Sequence, residues 1–481
     1  MVHSPEQADV VIVGARCAGT ASAVPLARAG HRVVLIDKSR FPSDQLSTHV
    51  LVPNGVAELQ HMGALPHALR LNPARSRYLG LNIGDVRVRE RFTPVDGIDY
   101  AVCIPRPEQD MCLVTACREA GAEVREKCQF EDVVWDAGRA VGVRYRDGSA
   151  TREIRAKLVI GADGRRSRMA AEVGSWEPYR GSLNGRGFAF RYLDDPQAGS
   201  PEGETLGVYR TGDSTCLVLP SSPVGRVLVV FMAPASDIPR FQADVETVWA
   251  EKLADDPALA ERLEGATNAD KLRATAKLVS FYRASTGPGW ALAGDAGHFK
   301  DPVVGQGQRD ALRHGRLLGE AVRGILDDPG AVDAALRAWE RRRDRDTRST
   351  YHWGNRETVA VAPSLLVREV FRTFEGDDSP DASDTFNRMR KIERIIGPGR
   401  MARAFATALV RAHGDRGQVL REATSEIPTE LGIRWENLRD EFRYAGWAPS
   451  ERPGWSVGRP PAARATPTPE DRAVASSSNR S

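Results

Sequence analysis

The clearest pattern in the chain is a short, wholly apolar run followed by a glycine-rich turn and a stretch of small residues. Residues 9–14 (DVVIVG) are rich in β-branched side chains and predict a strand buried on both faces. The small residues of segment 20–30 predict a helix packed closely against a sheet, and residues 32–37 (RVVLID) predict a second strand that ends in an acid. This order is typical of a dinucleotide-binding unit.

The turn carries groups that suit a pyrophosphate. Glycines let the backbone approach the phosphates, the N-terminus of the next helix offers N–H groups and positive potential, and Asp37 can accept hydrogen bonds from a ribose. The middle glycine of the GxGxxG pattern is replaced by Arg16. A parallel-sheet turn without a ligand is the alternative interpretation. The predicted cofactor-binding residues of this unit are Gly14, Ala15, Arg16, Ala18, Gly19, Asp37 and Lys38.

Strand and glycine patterns recur further along the chain. Residues 158–164 (LVIGADG) and 290–295 (WALAGD) repeat the buried strand that ends in glycine and an acid. Segment 185–285 is mainly strand-like with one predicted helix near 243–263, and a long helix is predicted over 307–326. From 331 to 447 the pattern is helical and arginine-rich, whereas the residues after 451 are rich in Pro, Ser, Ala and Arg and have little to bury.

The composition and net charge of the chain limit the kinds of molecule that we expect it to bind. The chain has 481 residues, which allows several packing units, and its net charge of +3 does not favour nucleic acid or an anionic membrane as a partner. No apolar run approaches the roughly 18–20 residues of a membrane span, and the N-terminus has no signal-peptide pattern. The six cysteines form no CxxC pair, and the nine histidines show no paired spacing. We therefore expect a cytoplasmic protein without a metal site.

The three glycine–acid segments, in this order, resemble the single-component FAD-dependent monooxygenases of the aromatic-hydroxylase type. That family shares its fold with flavin-dependent halogenases and geranylgeranyl reductases. The resemblance covers roughly residues 8–350, and its most specific part is segment 294–307 (GDAGHFKDPVVGQG), which is similar to the family's GD motif over its full length. Residues 161–164 (GADG) look like the DG motif.

The resemblance implies further cofactor contacts. Asp295 would bind the FAD sugar chain, Arg106 would take the place of the family's FAD-contacting arginine, and the DG motif would serve FAD and nicotinamide together. The segment before the predicted helix at 307 would line the isoalloxazine ring. The residues implied in this way are Arg106, Asp163, Gly164, Gly294, Asp295, Pro302, Gly305, Gln306 and Gly307.

The implied fold is α/β: a doubly wound, glutathione-reductase-like FAD-binding domain with an inserted mixed β-sheet substrate domain and a helical C-terminal region. The expected divisions are an FAD-binding domain at 1–75, 101–180 and 286–350, a substrate domain at 76–100 and 181–285, a helical region at 351–450 and a disordered tail at 451–481.

The chemistry implied by the resemblance is oxygenation of a small molecule, as in secondary metabolism, by a monomer or homodimer. NAD(P)H would reduce FAD, and O2 would then give a C4a-hydroperoxide whose distal oxygen is transferred to the substrate. The sequence nominates no catalytic residue. Candidates for the pocket are His49, His298, Arg191, Arg210 and Arg283, although a structural histidine and solvent-facing strand arginines are the simpler interpretations.

Other functions remain open at this stage. If the strand arginines face the cavity, N-oxygenation of a polar, acidic amino acid becomes the main alternative. A flavin-dependent reductase of a lipid shares the same motifs, and a redox-silent FAD-binding regulator is a further possibility. Halogenation is disfavoured because Thr215 and Leu217 occupy the positions of the two tryptophans in the halogenase WxWxIP pattern.

Overall fold

The computed structural model describes residues 5–44, 47–276, 278–376 and 379–439. In these ranges the strands are, in chain order, β1 (Glu6–Val13), β2 (Val33–Ile36), β3 (Val50–Leu51), β4 (Tyr78–Ile83), β5 (Val86–Arg91), β6 (Val102–Cys103), β7 (Glu123–Arg125), β8 (Cys128–Asp136), β9 (Arg139–Asp147), β10 (Ala150–Gly161), β11 (Arg180–Leu183), β12 (Phe188–Asp194), β13 (Thr205–Arg210), β14 (Thr215–Pro220), β15 (Arg226–Met232), β16 (Arg273–Thr275), β17 (Val279–Tyr282), β18 (Thr286–Gly287), β19 (Trp290–Leu292) and β20 (His298–Phe299). The helices in the same ranges are α1 (Cys17–Arg28), α2 (Pro53–Met62), α3 (Leu65–Leu69), α4 (Arg106–Glu119), α5 (Arg168–Glu172), α6 (Ile238–Ala243), α7 (Val245–Ala254), α8 (Pro257–Arg262), α9 (Gly307–Val322), α10 (Pro329–Glu357), α11 (Leu365–Arg372), α12 (Asp381–Phe386), α13 (Ile392–Ile395), α14 (Pro398–Arg411) and α15 (Arg416–Arg439).

The first sheet contains the predicted dinucleotide unit. Its strand order is β18-β19-β10-β1-β2-β7, and the pairs from β19 to β7 are parallel. The β-branched runs of β1 and β2 are buried on both faces because helices α1, α4 and α9 cover one side and the β8–β9 hairpin covers the other. Strand β10 continues beyond the parallel region and pairs with β9 in antiparallel orientation. The predicted α/β, doubly wound architecture is confirmed.

The second sheet has the order β16-β12-β15-β14-β13-β4-β5. It is mixed, because β13 pairs with β4 in parallel while the other pairs are antiparallel. Its outer face packs against α6, α7 and α8. Its inner face is turned toward the segment at 302–304 and the C-terminal helices.

The single helix predicted near 243–263 is divided into shorter helices. Asp244 ends α6 and caps α7 by accepting the Thr247 N–H at 3.1 Å, and Asp256 caps α8 by accepting the Leu259 N–H at 3.1 Å. Aspartates favour these capping positions because they satisfy N–H groups that have no intrahelical acceptor. The helical spacing of apolar residues continues across both aspartates, so hydrophobic periodicity alone does not reveal where the helices end.

The C-terminal helices are tied to the second sheet by the buried guanidinium group of Arg186. It donates to the carbonyl oxygens of Glu357 (2.6 Å), Met232 (2.9 Å), Val359 (3.0 Å) and Asp213. The Arg186 side chain therefore donates hydrogen bonds both to Met232 of the second sheet and to Glu357 at the end of α10. The predicted tail at 451–481 lies outside the described residues, and in the described ranges no helix combines the length and apolar character needed to cross a membrane.

Candidate functional site

The three glycine–acid segments meet at one edge of the first sheet. Val13, which ends β1, is in register with Gly161 of β10, and Gly161 is in register with Leu292 of β19. The three strands are parallel neighbours, so the turns that follow them lie side by side. Ligands bind at this edge in open α/β sheets, and the structure therefore brings together segments that are far apart in the sequence.

Two glycines of the first turn are required by close backbone contact. A Cβ on Gly14 would lie 2.3 Å from the Ala162 carbonyl oxygen, and Gly14 has a φ of +105°. A Cβ on Gly19 would lie 1.8 Å from the Gly14 carbonyl oxygen. These contacts allow α1 to begin directly against the sheet. In the described part of the chain, no side chain caps the α1 N-terminus, so its first N–H groups can face an anion.

Asp37 is built into the same turn. One carboxylate oxygen accepts the Ala15 N–H at 2.9 Å, and the other accepts the Ser39 N–H at 2.8 Å. Each oxygen retains a lone pair for a further donor such as a ribose hydroxyl. Asp37 is buried, whereas the neighbouring Lys38 is exposed.

A buried carboxylate that sequence analysis missed connects the two arginines of the site. Asp110 accepts from Arg106 Nε at 3.0 Å and from Arg106 Nη2 at 2.8 and 3.0 Å, and it also binds Arg16 Nη1. Arg16 further donates to Ser43 and lies over the Phe41 ring. The spacing of four residues between Arg106 and Asp110 on α4 was a signal that could have identified the pair. Arg16 therefore occupies the middle position of the GxGxxG pattern, and its charge is compensated by Asp110.

The middle segment mainly shapes the turn. Asp163 accepts from Ser167 Oγ at 2.6 Å and from the Met169 N–H at 3.0 Å, which fixes the start of α5. Burial raises the pKa of Asp163. Gly164 has a φ of +82°, and the position of a Cβ there is in open space.

The third segment contacts the first. A Cβ on Gly294 would lie 2.6 Å from the Ala18 Cβ. Asp295 is half-buried, and its removal from bulk water raises its pKa to about 6, although Arg165, Arg106 and Lys300 oppose that rise. Asp295 therefore lies close enough to Arg106 to be influenced by its charge.

The loop before α9 is compact and ends at an open helix N-terminus. Asp301 accepts the Val303 N–H at 2.8 Å and so caps the short helix Pro302–Val304. Gly305 is left-handed, with a φ of +62°, and Gln306 donates to the Phe386 carbonyl at 2.8 Å. Gly307 begins α9, whose N-terminus has no side-chain cap among the described residues.

The candidate pocket histidines occupy different environments. His49 is buried with a φ of 58°, its Nδ1 shares a hydrogen bond with the Tyr192 hydroxyl, and its ring packs edge-on against Phe190. It therefore faces the inner side of the second sheet. His298 packs against Tyr282 with ring centroids 4.6 Å apart, and burial lowers its pKa well below the usual value.

The three candidate arginines, which lie on or beside strands, are buried rather than solvent-facing, and each one has protein partners. Arg191 binds Glu246 at 2.6 Å and lies over Trp249 on the outer face of the second sheet. Arg210 binds Glu357 at 2.6 Å. The Arg283 guanidinium donates to backbone carbonyls, including that of Ala296 at 3.0 Å. These contacts give each arginine a structural role, and anchoring of an anionic substrate by any of them stays a prediction.

We expect Asp295→Asn to stabilise the FAD-free protein relative to wild type, and increasingly so as pH rises from about 4 to about 6. A carboxyl whose folded pKa is raised above 3.8 binds more protons in the folded than in the unfolded state within this window, so ionisation destabilises the fold. Melting temperatures of both proteins across the window test this. Asp136→Asn, at the exposed end of β8, is the control. A pH-independent difference between Asp295→Asn and wild type would contradict the assignment.

The site fits FAD. Its features are two uncapped helix N-termini, a close backbone turn, an acid at the end of β2 and a half-buried Asp295. Helix N-termini suit the pyrophosphate, and carboxylates suit the hydroxyls of the ribose and the ribityl chain. Residues that would hold the cofactor are thus contributed by all three segments.

Comparison with known proteins agrees with this geometry. The family described as "FAD binding domain" matches residues 7–350. A menaquinone reductase from Mycolicibacterium smegmatis is 30% identical over 364 residues, which cover 69% of this chain and 79% of the relative. The structure of a flavoprotein/dehydrogenase from Cytophaga hutchinsonii has a TM-score of 0.70 at 19% identity, covering 85% of this chain and 100% of that one. A probable FAD-dependent monooxygenase from Pseudomonas aeruginosa, pqsL, has a TM-score of 0.64 at 20% identity, covering 77% of this chain and 99% of that one. These two likenesses concern the fold alone.

Proposed function

The chain belongs to the FAD binding domain family, and on that premise we propose that this FAD-dependent oxidoreductase is a monooxygenase, which uses NAD(P)H and O2 to oxygenate an uncharged, largely apolar small molecule. Bound FAD would accept electrons from the nicotinamide and deliver them to oxygen. The protein would hold the cofactor, shape the substrate chamber and keep out water.

The observation that carries this proposal is the inner face of the second sheet, which lies beside the loop that would hold the flavin ring. Val303 and Val304 of that loop belong to the same apolar cluster as the sheet residues. The sheet contributes Phe188, Phe190, Leu217, Leu219, Leu228 and Val230. A substrate site bounded by these side chains would favour an apolar molecule, since apolar linings with few polar groups are typical of small-molecule sites.

The C-terminal helices pack against the other side of the same apolar cluster. Phe374 and Ile395 are buried in the same cluster, and Trp353 and Phe386 pack against it. This packing would keep water away from a substrate held there, which protects reactive species.

The buried pair of His49 and Tyr192 supplies polarity in this wall. Burial raises the pKa of Tyr192 far above its usual value, so the hydroxyl stays protonated and can donate to the imidazole. This pair would orient a polar substituent of an otherwise apolar substrate. The compensated charges of Arg191 and Arg210 disfavour the N-oxygenation of an acidic amino acid.

A reductase that saturates a double bond of an apolar quinone or lipid is the second candidate. It is favoured by the menaquinone reductase that is 30% identical to this chain. The apolar wall suits both reactions, so the fate of oxygen must separate them.

We expect the FAD-loaded protein to consume one O2 for each NAD(P)H oxidised when a phenol or another apolar aromatic compound is the substrate, and to place one oxygen atom in the product. Oxygen uptake, NAD(P)H absorbance and mass spectrometry with 18O2 test this across phenols, a menaquinone and acidic amino acids. Tyr192→Phe, which keeps the ring, should raise the substrate KM more than it changes the FAD content.

Several outcomes would overturn the proposal. Anaerobic turnover with a saturated product would support the reductase instead. Stimulation by acidic amino acids alone would support N-oxygenation, and a halide-dependent product would support a halogenase. A flavin that NAD(P)H does not bleach, with or without these compounds, would indicate a redox-silent FAD-binding protein.

A further inference from the structure

A buried cluster of charged residues closes the loop that would face the flavin ring. Lys300 precedes the loop 301–306 and Arg309 lies in the first turn of α9 that follows it, and both side chains bind the same carboxylate, Asp310. The Arg309 contact is 2.7 Å long, and the Lys300 and Asp310 side chains are each 2% exposed. Asp310 thus joins the two ends of the loop, and we call these three residues the loop clamp.

The loop clamp carries more positive than negative charge. Lys300 and Arg309 share the single negative charge of Asp310, and Arg388 from the C-terminal region adds another guanidinium group nearby. The Arg388 guanidinium group donates to neutral oxygens, the Thr350 hydroxyl and the Asp346 carbonyl. The lowered pKa of Lys300 reflects burial first and then the charges of Arg388 and Arg309.

Several acids act on these cations: Asp346 and Glu393 on Arg388, Asp346 and Glu58 on Arg309, and Asp295 on Lys300. Within the loop clamp itself, two cations still face one carboxylate. His298 and His314 are buried, and burial together with nearby cations lowers the pKa of each, so both imidazoles are neutral. Glu58, the carboxylate on the adjacent helix α2, is bound to Arg313 and Arg316. Unbalanced buried charge is costly unless it interacts with an opposite charge.

Reduction of a flavin provides such a charge. Transfer of a hydride from NAD(P)H to FAD gives NAD(P)+ and FADH−, so the reduced cofactor gains one negative charge and atoms and electrons balance. A positive field next to the flavin site favours that product, and its strength depends on distance and burial. The charge of Lys300 already acts to lower the pKa of Asp295, which lies in the third glycine–acid segment.

We propose that the loop clamp and Arg388 stabilise the reduced, anionic state of bound FAD over the oxidised state, so that Lys300 and Arg388 set the midpoint potential of the cofactor. The inference rests on FAD binding and holds whether the enzyme is a monooxygenase or a reductase. A purely mechanical clamp would instead hold the loop and strengthen the binding of both redox states equally.

The test is the midpoint potential of the FAD-loaded full-length protein, measured by dye equilibration, together with the affinity for oxidised FAD. We expect Lys300→Met to weaken the binding of reduced FAD about tenfold more than that of oxidised FAD, which lowers a two-electron potential by about 30 mV. Lys300→Arg should restore the wild-type potential because it returns the charge. Arg316→Met, two turns along α9 with its charge on Glu58, is the matched control and should leave the potential unchanged.

Arg388→Met keeps the proposal testable if Lys300→Met loses its cofactor. Arg388 is half-buried on a loop and leaves neutral acceptors behind, so its removal is tolerable for folding. It should lower the potential in the same direction by a smaller amount. If Arg388→Met and each FAD-binding Lys300 variant keep the wild-type potential while binding both redox states more weakly, the clamp is mechanical and the proposal is wrong.

Discussion

Replacement of Gly19 by alanine is expected to remove bound FAD and to destabilise the fold by about 3 kcal/mol, the upper part of the range for overpacking. The added Cβ would lie 1.8 Å from the Gly14 carbonyl oxygen and 3.4 Å from the Ala162 Cβ. Backbone cannot yield as a flexible side chain can, so α1 must move away from the sheet. That movement displaces the helix N-terminus that would bind the pyrophosphate.

The measurements are the flavin content of the purified protein and its chemical denaturation. Gly399→Ala in α14 is the matched control, since a Cβ there meets nothing within 4 Å and alanine suits a helix. We expect the control to retain wild-type FAD content and to lose no stability. Wild-type flavin content in Gly19→Ala would show that the turn does not hold the cofactor as described.

Asp110→Asn is expected to cost about 3–5 kcal/mol, because it removes the charge that balances two arginines in a buried network. Asp110 is fully buried, and its carboxylate holds Arg106 at 2.8–3.0 Å and also binds Arg16. Burial alone would lower the pKa of Arg106. The charge of the Asp110 carboxylate outweighs burial, so the pKa of Arg106 is raised. Without the carboxylate both guanidinium groups lose their position beside the cofactor segment.

Urea denaturation with and without FAD measures this effect. Glu320→Gln is the control, since Glu320 pairs with Arg316 on α9 at 2.8 Å but is 35% exposed, and exposed pairs contribute about 0–1 kcal/mol. We expect the control to change the free energy of unfolding by less than about 0.5 kcal/mol. A loss below about 1 kcal/mol in Asp110→Asn would mean that the network does not depend on this carboxylate.

The local fold of the segments that would bind the cofactor was predictable because its signals are local. The apolar run of β1, the glycines at 14 and 19 and the acid at 37 lie within one βαβ unit, and each is explained by contacts inside it. The mixed second sheet followed from the resemblance to a family. The βαβ unit is therefore specified by one short stretch of sequence.

The partners of buried charges were not predictable in the same way. Asp110 binds Arg16, which lies 94 positions earlier in the chain. Arg191 binds Glu246 on α7, a helix that the sequence predicted only as part of one longer helix. Strand periodicity indicates which residues share a face, but it does not say that an arginine on β12 is covered by Trp249. Such pairings depend on packing between distant elements, which a single sequence does not contain.

The order of the strands in the first sheet determines how the chain can fold during synthesis. Strand β1 pairs with β10 at residues 150–161, β10 pairs with β19 at 290–292, and α1 packs against α9 at 307–322. Contacts between residues so far apart in the sequence form slowly, and apolar strands are prone to aggregation until they are paired. A nascent chain that ends before residue 322 leaves the apolar side of α1 without its partner helix. The cofactor site is therefore completed late, and FAD stabilises the fold by mass action only after most of the chain has been made.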